Sequence, residues 1–533
     1  LVVAALYLAA ALHGLGAADV VGDDEAREAG IVRDVAAGHW LWPRFNDELL
    51  PDKPLLYHWL AAVPCAVAGF SEAAVRLPSA LAGAGLVAWT GTVGTALLGP
   101  RAGVVAAVLV ATTPALFTHA RVARPDVLLA LLVAVALGLA FTWWENGRRR
   151  DASLTLAALG LATFAKGPVA PVLFLLAFGG FLAWQGELRK LPRLVTPEGL
   201  AALLVLGGGW YAIALAGWGD AFVREHLVGR YLRNLAGGLP AGQAYSPKPL
   251  RYHLLFYLEH LPAIALPWTP LVVVALWRAA RGGLRDPRVR FLVCWALAPV
   301  VAFTPAEWKL RYYLLPSVPA LVLLAAPTAA RLLATPPRRL APAPLVALGA
   351  VVLTLVALAA VALRSDGLPL SASDRTTIAA LTTVVPPRAA AALIGFAVGI
   401  VAAAVAWRAW AALGVATVAA VAAWMVFGAP ALEQAVARRA SLKPFAEEVA
   451  SRYPAPAALR FWGATIRPVA LYVGRPVAPV TQRDALADAA AVIATGSAYR
   501  RLSAAGALGP AIVTAHGRVG NVAEADVVLA APR

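Results

Sequence analysis

The chain alternates long apolar segments with short charged loops, and this pattern restricts it to proteins that cross a membrane many times. Of its 533 residues, 60% are hydrophobic and 14% are charged, whereas soluble domains carry about 25% charged residues. Apolar runs near the length of a membrane span, about 20 residues, lie at 1–19, 75–98, 102–119, 125–144, 152–166, 168–184, 199–217, 252–277, 291–304, 312–333, 343–363, 388–407 and 409–428. We therefore predict an all-α polytopic membrane domain of about 13 transmembrane helices, with the first run kept as an anchor rather than removed as a signal peptide.

The run "PLLYHWLAAVPCAVAGF", residues 54–70, decides the orientation because it is short and contains His58 and Pro64. If it lies along the membrane surface and the N-terminus is cytoplasmic, the basic loops share the cytoplasmic side, as the positive-inside rule requires. These loops are "GPRAG", "ENGRRRD", "GELRKLPRL", "WRAARGGLRDPRVR" and "TPPRRL". We predict this arrangement. In this arrangement the basic residues behind the net charge of +17 act as topology signals, and no nucleic-acid partner is needed to account for them.

The composition changes after residue 430, where mixed charge and short β-like runs replace the apolar segments. We predict a membrane domain at 1–430, with interfacial helices in an outer loop at 20–74, and a small outer α/β domain at 431–533. The expected strands are 458–462, 470–473, 491–494, 511–514 and 527–530, with a helix over 443–453. The two cysteines, Cys65 and Cys294, lie in apolar runs and support neither a disulfide framework nor a thiolate metal site.

The predicted topology collects most of the mixed-charge stretches on the outer face. The carboxylates there are Asp23, Asp24, Glu25, Asp52, Asp126, Glu225 and Glu307, and the cations and donors are Lys53, Arg121, Arg124, Lys166, His226, Arg230, Lys309, Arg311, Tyr312 and Tyr313. Carboxylates suit general-base catalysis, and Lys and Arg suit phosphate binding. Beside a bilayer, this set predicts an enzyme that transfers a group from a lipid-linked phosphate.

Two other classes of protein fit parts of the pattern. A transporter or flippase for an anionic lipid would use the same cations, but it predicts ionisable residues at mid-span depth and repeated halves. A non-catalytic cell-envelope scaffold has no need for paired acids at two span ends. Neither alternative accounts for the clustering of charge at one face.

An ordered set of motifs resembles the C-type membrane glycosyltransferases, especially the bacterial aminoarabinose (lipid A) transferases and the related protein O-mannosyltransferases. The motifs are "DDEAREAGIVRDVAAGHWLWPRFNDELLPDKPLLYHWLAAV", "AVRLPSALAG", "RPDVLLALLVAVAL", "FAKGP", "REHLVGRY", "LPW" and "KLRYYLLPSVPAL". The resemblance covers residues 1–335 and, more loosely, the tail. It implies a C-type fold and a polyprenyl-phosphate-linked sugar as donor.

The resemblance implies that Asp24 and Asp126 are the catalytic carboxylates, with Asp24 as a base or as the group that orients the acceptor. The adjacent Asp23 leaves the register open by one residue. The structural alternatives are helix capping for Asp24 and an ion pair with Arg124 or Arg121 for Asp126.

The resemblance also implies that Lys53 faces the donor phosphate and that Asp52 and His226 hold one divalent metal ion. Asp52 departs from the glutamate usual in the family, and a single histidine more often only forms hydrogen bonds. No other cofactor is expected.

Further donor-phosphate contacts implied by the resemblance are Arg230, Tyr313, Lys309, Arg311 and Lys166. The alternatives are headgroup binding for Lys309 and Arg311 and a snorkelling side chain for Lys166. We interpret Glu25, Arg27 and Glu28 as structural helix pairs, although Glu28 stands where the family usually has an aromatic residue after the arginine.

Together these features predict an inverting, single-displacement glycosyltransferase in a bacterial inner membrane, with its active site and tail on the periplasmic side. The predicted partners are the donor lipid, the bilayer and an acceptor. The sequence leaves the sugar open, and it leaves the acceptor open among a lipid A-like glycolipid, a glycan and a protein.

Overall fold

The structure, a computed structural model, describes residues 1–49, 53–232, 249–307, 309–334, 372–384, 410–520 and 523–532. Within these residues the chain is mostly helical up to Arg452 and forms a five-stranded sheet beyond it. This confirms the coarse prediction of apolar helices followed by a small C-terminal sheet.

Most of the helices up to residue 232 follow the predicted apolar runs. They are α1 (Val2–Leu12), α2 (Asp23–Ala36), α3 (Leu56–Ala68), α4 (Glu72–Leu98), α5 (Pro100–Ala111), α6 (Pro114–Ala120), α7 (Asp126–Asn146), α8 (Arg149–Lys166), α9 (Val169–Phe174), α10 (Gly180–Gln185), α11 (Pro197–Leu203), α12 (Gly209–Trp218) and α13 (Asp220–Phe222). Segments of π-helix follow α9, α11 and α13 at Leu175–Gly179, Leu204–Gly208 and Val223–Leu232. A 3₁₀ segment at Leu188–Leu194 precedes α11.

The later helices continue the bundle and lead into the tail. They are α14 (Leu250–Ile264), α15 (Thr269–Ala280), α16 (Pro287–Phe303), α17 (Val318–Ala334), α18 (Ala372–Val384), α19 (Trp410–Ala423), α20 (Ala429–Ala440) and α21 (Lys443–Arg452). The 3₁₀ segment Arg311–Ser317 leads directly into α17, and the π-helical segment Trp424–Gly428 joins α19 to α20. The predicted domain boundary at residue 430 falls inside this last continuous helix, so the division itself stays a prediction.

Five helical segments of the described residues are long and apolar enough to cross a membrane. They are Glu72–Leu98, Asp126–Asn146, Pro197–Trp218, Arg311–Ala334 and Gly414–Ala440. Two bent pairs pass the same test together: α5 with α6, bent by 61°, and α14 with α15, bent by 116°. Two predicted spans, 343–363 and 388–407, lie outside the described residues, and the count of 13 stays a prediction.

The run at 54–70 folds as the short helix α3, whose exposed face is apolar. Leu60, Val63 and Val67 are exposed on it at helical spacing. A helix of 13 residues is too short to span a bilayer. This length and this face fit the predicted position along the membrane surface.

The antiparallel pair α7 and α8 places two predicted site residues at one end of the bundle. Gly147 ends α7 in the left-handed conformation, so the chain reverses directly into α8. Asp126 is the first residue of α7 and Lys166 is the last residue of α8. The basic loop "GRRR" lies at the opposite end of α7, about 30 Å away for a helix of this length.

The strands of the tail are β3 (Leu459–Trp462), β4 (Ala478–Val480), β5 (Ala491–Thr495), β6 (Leu508–Val519) and β7 (Ala523–Pro532), with a further helix, Gly496–Ala504, after β5. They form one mixed sheet with strand order β4-β3-β5-β7-β6. β3 runs parallel to both of its neighbours, and β7 runs antiparallel to β5 and β6. Four of the five predicted strands and the helix over 443–453 are confirmed, with β6 and β7 longer than predicted.

The predicted strand at 470–473 is wrong, because this segment is the helix α22 (Arg467–Val473). Pro468 at the start of the helix and Gly474 in the left-handed conformation at its end are helix start and stop signals. A short apolar run between such signals cannot be assigned to a strand by its hydrophobicity alone.

The tail docks onto the loop between α1 and α4. This loop contains a hairpin, β1 (Arg44–Phe45) and β2 (Glu48–Leu49), whose turn residues Asn46 and Asp47 both have positive φ angles. The Asn46 side chain donates to the carbonyl of Val477 at 2.7 Å and accepts from its N–H at 2.6 Å. The tail is therefore hydrogen-bonded to the predicted outer loop.

Replacing Gly103 with alanine tests the close packing of α4 against α5. A Cβ at Gly103 would lie 2.5 Å from the Thr95 nitrogen and 2.7 Å from the Gly91 oxygen, both backbone atoms of α4. We expect Gly103→Ala to lower the free energy of unfolding by about 1–3 kcal/mol, because the helices must separate. Thermal unfolding in detergent measures this.

The matched control is Gly209→Ala, where the added Cβ would meet no atom of the described residues within 4 Å. Equal melting temperatures for the two variants would contradict the packing argument.

Candidate active site

Helix α2 carries the acidic cluster into the interior of the protein. It begins at Asp23 after Gly22, and every residue from Glu25 to Val32 is buried. Charged groups removed from water in this way need partners of opposite charge. The structure supplies a different cation for each acid.

The three consecutive carboxylates pair with three arginines from distant segments. Asp23 accepts from Arg467 at 2.6 Å, and Asp24 accepts from Arg124 at 2.7 Å. Glu25 accepts from Arg76 at 2.8 Å and also from the N–H of Ala123 at 3.0 Å. Our interpretation of Glu25 as half of a pair within α2 is therefore wrong, because its partner belongs to α4.

Asp24 is the member of this trio with the most open side chain, which is 25% exposed. Burial by itself would raise the pKa of its carboxyl group. The positive charges of Arg124 and Lys53 outweigh burial, so that the pKa is lowered from its usual value. In contrast, burial and the neighbouring Asp24 raise the pKa of Asp23 against the opposing effect of Arg467. Asp24 is thus the carboxylate held ionised with access to solvent.

The second predicted acid, Asp126, forms an ion pair with Lys166 across the ends of α7 and α8. The two arginines of the structural alternative have other direct partners, since Arg124 binds Asp24 at 2.7 Å and Arg121 binds Glu433 at 2.8 Å. The Lys166 ammonium also lies 4.8 Å from the centre of the Tyr313 ring and 5.7 Å from that of Tyr312.

Tyr312 links the two acid sites. The guanidinium of Arg124, in the loop that leads into α7, lies 5.0 Å from the centre of its ring. Asp24 with Arg124 and Asp126 with Lys166 therefore border the same aromatic pair, Tyr312 and Tyr313. The structure brings together Asp24, Lys53, Asp126, Lys166 and Tyr313 of the predicted set.

Lys53 is held by Glu28, a residue that we interpreted as structural. Glu28 is fully buried and also contacts His58 at 2.7 Å and Arg27 at 3.0 Å. Burial would raise the pKa of Glu28, but Lys53, Arg27 and His58 lower it to well below the usual value. Reasoning from sequence missed Glu28 and His58. The i, i+4 spacing of Asp24 and Glu28 on one helix face was the available signal for Glu28.

Other predicted residues lie apart from this cluster or outside the described part. The Lys309 ammonium donates to the carbonyls of Phe303, at 3.1 Å, and Thr304, and burial lowers its pKa. Arg311 is exposed. Asp52 and the side chain of Arg230 lie outside the described residues, so the metal contact of Asp52 and the donor contact of Arg230 stay predictions.

His226 is buried among aromatic rings. It stacks on Phe222 with 4.8 Å between ring centres, and its Nε2 lies 3.5 Å from the Tyr211 hydroxyl. Among the residues that the structure describes, no group of three His, Cys, Asp or Glu side chains is placed to hold a metal ion. Asp52, the other predicted ligand, lies outside the described residues, so the metal stays a prediction.

Comparisons with known proteins agree with the predicted resemblance. Residues 52–207 match the model of the family described as "Dolichyl-phosphate-mannose-protein mannosyltransferase". The chain is 29% identical over 325 residues to an undecaprenyl phosphate-alpha-4-amino-4-deoxy-L-arabinose arabinosyl transferase of Pseudomonas fluorescens, covering 60% of this chain and 57% of that protein. It is also 29% identical over 330 residues to the transferase of that name from Shewanella sediminis, covering 58% and 56%. The aligned region thus spans little more than half the length of these curated relatives.

The fold is shared with a solved structure, ArnT from Cupriavidus metallidurans bound to undecaprenyl phosphate. The TM-score is 0.78 at 20% identity, and the match covers 99% of this chain and 97% of the other. The apo form of the same protein matches with a TM-score of 0.75. The matched segment, the related sequences and the common fold confirm the resemblance of this chain to the C-type membrane glycosyltransferases of the aminoarabinose transferase and protein mannosyltransferase family.

Proposed function

We propose that this chain is an integral-membrane glycosyltransferase that moves a sugar from a polyprenyl-phosphate-linked donor to a hydroxyl or phosphate acceptor. The observation that carries the proposal is the placement of two ion-paired acids, Asp24 and Asp126, beside Lys53 and the Tyr312–Tyr313 pair at one end of the bundle. The names of the related sequences, which describe undecaprenyl-phosphate-linked transferases, support this donor class.

The proposed reaction is one displacement at the anomeric carbon. An acceptor oxygen forms the new bond, the bond from the anomeric carbon to the phosphate oxygen breaks, and the electron pair leaves with the polyprenyl phosphate. A single displacement inverts the configuration at that carbon. The acceptor proton passes to Asp24 when the acceptor is a hydroxyl.

The lowered pKa of Asp24 determines how it contributes. A carboxylate with a low pKa is a weak base, so it accepts the proton late and orients the hydroxyl before that. Most of the stabilisation of the transition state then comes from cations that face the leaving phosphate. We assign Lys53 to this role because the resemblance implies it and because its charge acts on Asp24. The further proposed contacts are Lys166, Tyr313, Arg230, Lys309 and Arg311.

The proposed location is the inner membrane of a bacterium, with the site on the periplasmic side. The basic loop after α7 lies at the end of that helix opposite Asp126, as expected if basic loops are cytoplasmic. The full count of about 13 spans, the outer position of the tail and the choice of acceptor belong to this proposal.

Replacing either acid tests the function directly. Purified protein in lipid receives a panel of polyprenyl-phosphate sugars with glycolipid, glycan and hydroxyl-peptide acceptors, and release of free polyprenyl phosphate is measured. We expect Asp24→Asn and Asp126→Asn to slow release by at least about 100-fold, since a positioned acid or base contributes roughly 10²–10⁴-fold.

The control is Asp286→Asn, at the N-cap of α16, where asparagine also caps a helix. It should keep the wild-type rate. Transport of labelled lipid across the bilayer at one rate in all variants, with no panel member consumed, would favour the flippase instead.

The pH profile tests the pairing of Asp24 with Arg124. The folded-state pKa of Asp24 is lowered by Arg124, so activity that needs the ionised carboxylate is lost only as the pH falls through that lowered value. In Arg124→Gln the pKa of Asp24 rises towards the value that burial favours. We expect the acid limb of kcat/KM to move to higher pH.

The exposed arginine Arg149, paired with Glu198 at the other end of the bundle, provides the control Arg149→Gln, which should leave the limb in place. If the acid limb of kcat/KM in Arg124→Gln is unchanged or moves to lower pH, this role of Arg124 is refuted.

A further inference from the structure

Glu28 is a fully buried carboxylate surrounded by three donors. Its Oε1 contacts Lys53 and the Nη2 of Arg27, and its Oε2 contacts the Nε2 of His58. His58 is itself buried, and its ring packs edge-on against Tyr57 with 6.0 Å between centres. The carboxylate therefore has more partners than a simple ion pair provides.

Stability alone does not explain a carboxylate at this position. A buried ion pair is often no more stabilising than apolar side chains of similar volume, and the resemblance implies an aromatic residue here. Glu28 places its negative charge against Lys53, the lysine that the proposed function assigns to the donor phosphate. The positive charge of Lys53 also helps to lower the pKa of Asp24, so this lysine is electrostatically coupled to the acid of the reaction.

The arrangement of donors allows Lys53 to leave. A lysine has a flexible four-carbon stem and a compact charge, so that it exchanges partners readily. When it moves to a phosphate, Glu28 still has Arg27 on one oxygen and His58 on the other. Glu28 is then not left as an unpaired buried charge, which would cost several kcal/mol.

We propose that Glu28 is a positioning residue that binds the ammonium group of Lys53 until the donor phosphate replaces Glu28 as its partner. Glu28 binds Lys53 again when the polyprenyl phosphate leaves. This inference rests on the proposed function and deepens it. Phosphate and Glu28 compete for one ammonium group, so Glu28 weakens binding of the phosphate and thereby promotes release of the product.

Binding of polyprenyl phosphate to the full chain in lipid nanodiscs tests the competition. We expect Glu28→Gln to bind polyprenyl phosphate more tightly, by about 3- to 10-fold, because it removes the competing charge and keeps the shape. The KM for the donor should fall by the same factor, and kcat should fall because product leaves more slowly. If Glu28 were purely structural, Glu28→Gln would weaken binding of polyprenyl phosphate or leave it unchanged.

A double-mutant cycle separates exchange from a general effect of charge. In the background of Lys53→Met, the change Glu28→Gln should no longer tighten binding. Equal tightening in both backgrounds would overturn the inference, because the effect would then not pass through Lys53. The matched control Glu145→Gln, at the opposite end of α7, should leave binding unchanged.

His58→Phe provides a second test that keeps the ring and leaves Glu28 charged. It removes one of the two donors that hold Glu28 when Lys53 leaves, so we expect binding to weaken. A folded His58→Phe that binds as the wild type does, or more tightly, would overturn the inference, even if Glu28→Gln did not fold.

The outcomes distinguish the two proposals. Wild-type protein that binds no polyprenyl phosphate would overturn the proposed donor class and the inference with it. Wild-type binding with no tightening in folded Glu28→Gln would overturn the inference alone.

Discussion

The pairing of buried acids on helix α2 with cations from other segments is the interaction on which the rest of the site depends. Asp23, Asp24 and Glu25 are consecutive, yet they bind Arg467, Arg124 and Arg76, which belong to the tail, the loop before α7, and α4. A buried charge is costly without its partner. Each pair therefore ties α2 to a different part of the protein, and together they fix the helix that presents Asp24.

This coupling gives the tail a place in the architecture of the site. Arg467 lies at the start of α22 and binds the first residue of α2, while Tyr472 of the same helix donates to Glu72 at the start of α4. The Tyr472 hydroxyl also accepts from the N–H of Val20 at 2.7 Å. One short helix of the tail thus contacts both ends of the loop that carries the acids, so docking of the tail and positioning of Asp24 are physically linked.

Much of the fold could be predicted because its signals are local. Apolar runs of span length, Gly147 at a helix end and the acids at the start of α2 are each visible within a few residues. The strand predicted at 470–473 failed because a short apolar run fits a helix equally well, and Pro468 and Gly474 were the better guide. The aromatic neighbours of His226 could not be predicted, because they come together only through folding.

By itself, the sequence determined that the chain is a membrane protein with acids at the start of one helix and cations in the following loops, since hydrophobicity and helix starts depend on neighbouring residues. Only the tertiary structure decided which cation meets which acid. Arg76, Arg124 and Arg467 are 51, 100 and 444 residues from their partners, and Glu28 receives Lys53 and His58 from a different segment. The physical reason is that charge pairing acts through space at a few ångströms, and only the folded chain brings these groups that close.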